Sequence, residues 1–238
     1  LAMLLLSVAG WAGIESKAYP LETGEALLQV LPRVQGGVYL IVGPAPRVAG
    51  AIRSVVTGDF QPQPQGGNVI PAARLSPWFD QTDGAVFGSL ALRVVRLDAM
   101  GREVARFPVG GQGYVNLVSA LVDSDGSLVI LGTTTDREFP VKDPLLPLSI
   151  PENGNAFIRY GFLVKTDPAG SGIATSTLIG GVDPGEGILG QGTVPRDLTR
   201  DGAGNLYVAG NTSHRDFPVT ANAYKKDAHF DVPRKTSE

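Results

Sequence analysis

One stretch of this chain occurs twice, and that constrains the fold more than any other feature. Residues 123–141, DSDGSLVILGTTTDREFPV, and residues 201–219, DGAGNLYVAGNTSHRDFPV, are identical at nine of nineteen positions, where chance gives about one. Upstream, Val95-Arg96-Leu97-Asp98 with Gly101 matches Val164-Lys165-Thr166-Asp167 with Gly170, and Gly110-Gly111 matches Gly180-Gly181 after one inserted residue. A repeat of this length is one supersecondary unit that cannot bury its apolar faces alone, so neighbouring copies must stack.

The unit is predicted to be built of strands. Residues 91–97, 117–122, 128–131, 161–165, 173–179 and 206–209 are short apolar runs rich in branched or aromatic side chains, which suit pleated sheets. Between them lie Asp98-Ala99-Met100-Gly101, Asp123-Ser124-Asp125-Gly126, Asp167-Pro168-Ala169-Gly170 and Asp201-Gly202-Ala203-Gly204-Asn205. Gly, Asn and Asp tolerate positive φ and Pro presets a turn, so these are hairpin connections. Gly 31 and Pro 18 together make about a fifth of the 238 residues, in keeping with a turn-rich chain. Helical spacing is confined to residues 22–31, ETGEALLQVL, closed by Pro32. The expectation is an antiparallel all-β protein with four strands and three tight connections per unit.

Taken together, the motifs Asp-Gly-Ala-Gly-Asn-Leu-Tyr-Val-Ala-Gly-Asn-Thr-Ser at Asp201 to Ser213 and Asp216-Phe217-Pro218 resemble the SBBP-type β-propeller repeats of secreted and cell-surface bacterial proteins. Residues 157–181 match the part of that repeat reading Phe-x-x-Lys-x-Asp-x-x-Gly, a strand, then Gly-Gly. The first copy departs from the pattern: Ser127-Leu128-Val129 replaces Asn-x-Tyr, and Glu138 stands where the family has Asp before Phe-Pro. The resemblance covers roughly residues 86–225. It implies a β-propeller-like array of four-stranded antiparallel blades.

On this reading residues 1–18 are a signal-peptide-like segment, and 19–85 an N-terminal region with a degenerate blade at 35–60. Residues 86–142 form one blade, 143–155 an insertion loop, 156–225 a second blade, and 226–238 a linker to a missing blade. The copies lie 78 residues apart, against about 40–50 for a compact blade, because Pro- and Gly-rich insertions occupy 143–155 and 182–194. About three blades result where propellers use about four to eight, so an incomplete propeller is expected. The remaining blades would come from a longer chain or from an oligomer.

Residues 1–14, LAMLLLSVAGWAGI, are apolar but too short for a helix to cross a hydrocarbon core of about 30 Å. Small residues follow, with cleavage sites offered at Gly10-Trp11-Ala12 or Ser16-Lys17-Ala18, so export to the cell surface or beyond is expected, with no membrane span in the mature chain. A formal net charge of -3 supplies no basic face for nucleic acid. Cys 0 removes disulfides, thiolate metal sites and Cys nucleophiles.

Chemical candidates reduce to a few. Asp123, Asp125 and Ser127 place oxygens at alternate positions, as calcium loops do, but Gly202 and Ala203 interrupt the series in the second copy, and a hairpin turn is the main reading. Gly185, Gly187 and Gly190 satisfy G-x-G-x-x-G without the flanking strand and helix that a dinucleotide needs, so no cofactor is assigned. His214 and His229 are the two histidines; no G-x-S-x-G elbow accompanies them, and His214 takes the place of Asp136 in a turn expected to face solvent. Asn211-Thr212-Ser213 fits a glycosylation acceptor but belongs to the repeat motif. Asp197 and Asp201 form a carboxylate pair of which turn geometry accounts for Asp201. Phe139, Phe217 and Tyr207 are read as packing residues, and Arg137, Arg196, Arg215, Asp197 and His214 as loop polar groups, any of which could face a channel mouth.

No catalytic, cofactor or metal residue is therefore assigned. The expected role is a noncatalytic scaffold or binding module for a protein or carbohydrate. The alternatives are an extracellular propeller hydrolase or lyase acting on polysaccharide, with its site in loops or missing blades, and an architectural spacer of a larger surface protein.

Overall fold

The computed structural model describes residues 2–6, 15–21, 25–44, 92–111, 113–148, 158–183 and 192–226. Every helix or strand among them is a β-strand, and the chain divides into two compact units, Leu1–Val109 and Gly110–Glu238. The hairpin turns show why the strands pair. The N–H groups of Asp98, Asp123, Asp167 and Asp201 donate to the carbonyls of Arg102, Ser127, Gly172 and Asn205 at 2.9, 2.8, 3.0 and 3.1 Å. In each turn a glycine N–H donates back to the Asp carbonyl, and those glycines, Gly101, Gly126, Gly170 and Gly204, have φ of 73, 88, 67 and 92°. A compact turn closed by one left-handed residue matches the twist of the flanking strands, and glycine adopts that conformation without a Cβ clash.

The first unit contains β1 (Ala2–Leu6), β2 (Glu15–Tyr19), β3 (Glu25–Pro32), β4 (Val38–Pro44), β5 (Leu92–Leu97) and β6 (Glu103–Val109). β1 pairs with β2, and β3-β4-β5-β6 form an antiparallel meander. Its core is Val38, Leu40, Val42, Val95 and Leu97, with Tyr19, Leu21 and Leu27 packed against it. The helix expected at residues 22–31 is instead strand β3. Gly36 and Gly37, at φ 86 and 82°, turn the chain tightly, and the wholly apolar β4 run Val38 to Val42 offers a ladder that overrides the helical spacing. β4 opens the segment assigned to a degenerate blade; residues 45–60 of that segment lie outside the described residues.

The second unit contains β7 (Val115–Val122), β8 (Leu128–Thr134), β9 (Tyr160–Thr166), β10 (Ile173–Ile179), β11 (Thr193–Arg200) and β12 (Leu206–Thr212). β7 to β10 form a second four-stranded meander, and β11-β12 a two-stranded sheet. Sequence unit and sheet are thus offset by one hairpin. Residues 86–142 supply β5-β6 to one sheet and β7-β8 to the next, and residues 156–225 supply β9-β10 and then β11-β12. Successive sheets are therefore linked by the repeat itself.

Within the second unit β11 lies over β7, β8 and β9. Leu198 of β11 packs with Val129 and Leu131 of β8, and Val118, Leu121, Leu163, Ile179 and Leu206 surround them. Burying a side chain such as Leu198 contributes about 1.5–3 kcal/mol. β8 is buried along its whole length, on both faces.

The β7-β8 and β11-β12 ladders coincide down to an irregularity. The register shifts between Leu117 and Ser119 in one and between Pro195 and Asp197 in the other, 78 residues on, and a third shift falls between Leu27 and Gln29 of β3. A bulge absorbs the proline, which cannot donate to a regular ladder. Beside it, Gly132 faces Phe162 of β9 across the ladder, and the Phe162 ring stacks on Phe139 at 4.8 Å between centroids, with planes 29° apart. A Cβ on Gly132 would collide with that ring and with the Asn116 carbonyl. Gly132→Val should therefore lower the stability of the chain by about 1–3 kcal/mol, as overpacking does. Urea denaturation of variant and parent measures this; unchanged midpoints would show that the contact is slack.

Candidate functional site

Two polar clusters in the second unit hold Asp123, Asp125, Ser127 and His214 of the residues singled out above. The first surrounds the β7-β8 turn. Asp123 Oδ1 accepts from Ser124 N at 2.6 Å, and Asp125 Oδ1 accepts from Ser127 N at 2.9 Å and Ser127 Oγ at 2.5 Å. Lys165 of β9 brings its Nζ to 2.7 Å from Asp123 Oδ2 and 3.4 Å from Asp125 Oδ2. From β11, Arg200 places Nε 3.0 Å from Asp123 Oδ1 and donates from Nη2 to Ser124 Oγ at 3.0 Å. The three oxygen-bearing residues Asp123, Asp125 and Ser127 do converge, but an ammonium of the chain itself stands between the two carboxylates. The hydrogen bond from Lys165 holds the Asp123 carboxyl below its ordinary range, and the Ser127 hydroxyl does the same for Asp125. Of the two cations Arg200 alone comes from β11, and its contacts with Asp123 and Ser124 fasten that strand to the sheet it covers. No cluster of metal-ligating side chains is present among the described residues.

The second cluster joins the exit of one hairpin to the Gly-Gly segment before it. Asp136 Oδ2 accepts from Gly111 N at 3.0 Å and its Oδ1 from Glu138 N at 3.0 Å. In the second copy the same task falls two residues later: Asp216 accepts from Val182 N at 2.9 Å and from Asp183 N at 3.0 Å. A Cβ at Gly111 or Gly181 would strike the carboxylate concerned, which is why glycine stands at both places. Burial raises the Asp216 carboxyl, yet the two backbone donors outweigh it and hold the group below its usual value. The departures noted in the first copy are thus one exchange. With Asp136 as the latch, Glu138 is left exposed; with Asp216 as the latch, position 214 is free for another residue.

That residue is His214, and its side chain turns inward although its neighbours Arg215 and Asp216 face solvent as expected. His214 is fully buried, and so is most of Asp136. The imidazole Nδ1 lies 3.0 Å from Thr193 Oγ1, which lies 2.9 Å from Thr212 Oγ1. The ring rests 5.2 Å from the Tyr160 ring, and its Nε2 has no hydrogen-bond partner among the described residues. A Cβ at Gly180 would come within 3.2 Å of its Cε1, so the ring also lies close to the Gly-Gly segment. Burial disfavours the charged form of the ring and holds its pKa below the usual histidine range, against the opposing pull of the nearby Asp216 and Asp183 carboxylates.

The remaining candidates do not converge. Arg137, Arg196, Arg215 and Asp197 are exposed, and Asp197 Oδ1 accepts from Leu198 N at 2.8 Å. Asp201 is not a partner for Asp197: its carboxylate accepts from Ala203 N, Asn205 N, Asn205 Nδ2 and Tyr207 Oη at 2.8–3.0 Å. These bonds, led by that from Asn205, bring its pKa down to about 2. Gly185, Gly187, Gly190 and His229 lie outside the described residues. The Gly-Gly latch itself was not foreseen; its signal was the paired change at positions 136 and 138.

Hairpins repeated in sequence, offset by one between unit and sheet and stacked face to face, define a propeller-type repeat array. Residues 176–218 match the beta-propeller repeat family SBBP, so that the second copy, from mid-β10 through Pro218, is an SBBP-type repeat. The match takes in the Gly180-Gly181 segment, β11, β12, His214 and the Asp216 latch. No curated protein and no solved structure matches the chain.

Burial favours neutral His214, so the folded state takes up its proton less readily than the unfolded chain, whose histidine titrates near 6.5. The stability that this group confers is complete above that value and is lost as pH falls through and below it. In denaturation midpoints measured from pH 8 to pH 5, His214→Phe, which keeps a ring against Tyr160, should flatten the fall seen in the parent. Parallel curves would show that the histidine titrates freely.

Proposed function

We propose that this chain is an exported, noncatalytic scaffold or binding module made of propeller repeats, with a protein or carbohydrate as its ligand. The observation that carries this reading is the use to which its carboxylates are put. Acid–base catalysis needs a carboxyl poised near the working pH and within reach of a substrate. Asp98, Asp123, Asp125, Asp167, Asp201 and Asp216 are all held below their ordinary values by groups of the chain itself. Asp98 answers to the backbone of Arg102, and Asp167, against its own desolvation, to the hydroxyl and N–H of Ser171. Such groups shape turns and latch strands, and a surface of well-fixed turns suits recognition.

Export draws its support from the apolar residues 1–14 and the small residues after them. Cleavage after Ala12 would remove β1, and cleavage after Ala18 all of β2 but Tyr19 as well, with the two meanders left intact in either case. Expression of the full chain in a bacterial host, with N-terminal sequencing of the product outside the cytoplasm and incubation of that product with soluble polysaccharides, tests the reading as a whole. The expected result is a processed chain that releases no reducing ends or unsaturated sugars. Retention inside the cell with Leu1 in place would remove the export claim, and depolymerisation abolished by a single carboxylate substitution would replace the module with an enzyme.

A further inference from the structure

The β3-β4 turn of the first unit is built like the Asp turns of the second, with its charge reversed. Arg33 N donates to the Gly37 carbonyl and Gly36 N to the Arg33 carbonyl, both at 3.1 Å, and Gly36 has φ of 86°. Asp123 makes the same two bonds with Ser127 and Gly126, and Asp201 makes them with Asn205 and Gly204. Aligned through these bonds, Arg33 stands where the other turns have Asp123 and Asp201, and Gln35 stands in the place of Asp125.

The cation on the neighbouring strand is kept. Lys165 of β9 lies across from Val129, two residues past its turn, and reaches back to Asp123 and Asp125. Arg96 of β5 lies across from Tyr39, two residues past the β3-β4 turn, and is the counterpart of Lys165 in the repeat. The second unit thus sets its strand cation against two carboxylates, whereas the first sets it beside a second cation. The Arg33 guanidinium is 5.2 Å from the centroid of the Tyr39 ring, and residues directly opposite in a ladder share a face, so both arginines border that ring. Both are half-buried, and Tyr39 is fully buried. Arg96 Nε is itself buried and has no hydrogen-bond partner among the described residues. The carboxylates of Glu25, Asp98 and Glu103 are paired with Arg93, Arg102 and Arg106 instead. A charged donor buried without an acceptor is unfavourable, so what Arg96 lacks is an anion.

We propose that Arg33 and Arg96 form a binding site for the carboxylates of an acidic peptide segment belonging to another protein. The planar guanidinium fork matches a carboxylate with two parallel hydrogen bonds, and half-burial of both side chains lets a ligand reach them while limiting screening by solvent. The choice of a peptide follows from the second unit, where the groups that meet the strand cation are aspartates two apart in a turn. The inference deepens the reading of the chain as a binding module, and rests on it for the ligand's coming from outside the chain.

Magnetic resonance of the isotope-labelled full chain at neutral pH, read at the Nε–Hε group of Arg96, tests this with an acetylated Asp-Ser-Asp-Gly-Ser peptide as probe. The resonance should shift saturably with this peptide and stay in place with Asn-Ser-Asn-Gly-Ser. Arg33→Gln should weaken the binding by about tenfold or more, as loss of a charge-assisted partner does. Arg33→Asp gives the turn the residue that its two sister turns carry, so the backbone accommodates it. That variant should shift the Arg96 resonance with no peptide added and abolish the titration. No saturable shift at Arg96, an equal response to the Asn peptide, or unchanged affinity in Arg33→Gln would overturn the proposal. So would saturation by oligogalacturonate where the acidic peptide has no effect, which would assign the site to an acidic sugar. The noncatalytic reading fails on a different result, release of reducing ends from polysaccharide, which leaves these shifts as they are.

Discussion

The second unit depends on β8 being sheltered on all sides. Its backbone groups are satisfied by β7 and β9, and its side chains are buried on both faces, with Leu198 of β11 set against Val129 and Leu131. A strand so placed can be wholly apolar, and Leu128 to Leu131 is. The requirement then passes to its neighbours. The turn before β8 must be tight, which Gly126 allows, and the next sheet must be fastened in place, which Arg200 does through Asp123 and Ser124.

The same logic explains why polar residues of the repeat serve geometry. Each four-stranded meander is followed by a Gly-Gly segment, and an aspartate from the next hairpin accepts backbone N–H groups in or just after it, that of Gly111 in one copy and those of Val182 and Asp183 in the other. Unpaired amides in such a place cost about as much as a lost hydrogen bond. The carboxylate can sit at position 136 in one copy and at the place of 138 in the other because both side chains lie against the second glycine of the Gly-Gly pair, Gly111 or Gly181. Once Asp216 took the task, position 214 could hold a buried ring, and His214 fills it with Thr193 and Tyr160 as neighbours.

Much of this was legible in the sequence, and the exceptions have physical causes. The repeated letters located β5, β7, β8, β9, β10 and β12, because their strands are apolar runs bounded by Asp and Gly turns. β6 and β11 escaped notice: Glu103 to Val109 and Thr193 to Arg200 carry charges and a proline each, and their extended form comes from the ladder partner more than from their own side chains. β3 looked helical for the same reason in reverse, since its spacing fits a helix and only β4 beside it forces extension. The calcium-like spacing of Asp123, Asp125 and Ser127 was readable, but the cation that meets it is Lys165, 42 residues away from Asp123 in sequence. The burial of His214 was not readable, because a histidine in a turn motif gives no sign of what packs over it.

What holds these features together is the face-to-face contact between the sheet of β8 and the hairpin that repeats its sequence. Nuclear Overhauser measurements on the methyl-labelled full chain examine it directly. Cross-peaks from the Leu198 methyl groups to those of Val129 and Leu131 are the expected result. Their absence, with Leu198 methyls exposed to a soluble paramagnetic probe while Leu131 methyls are not, would mean that the two copies do not stack.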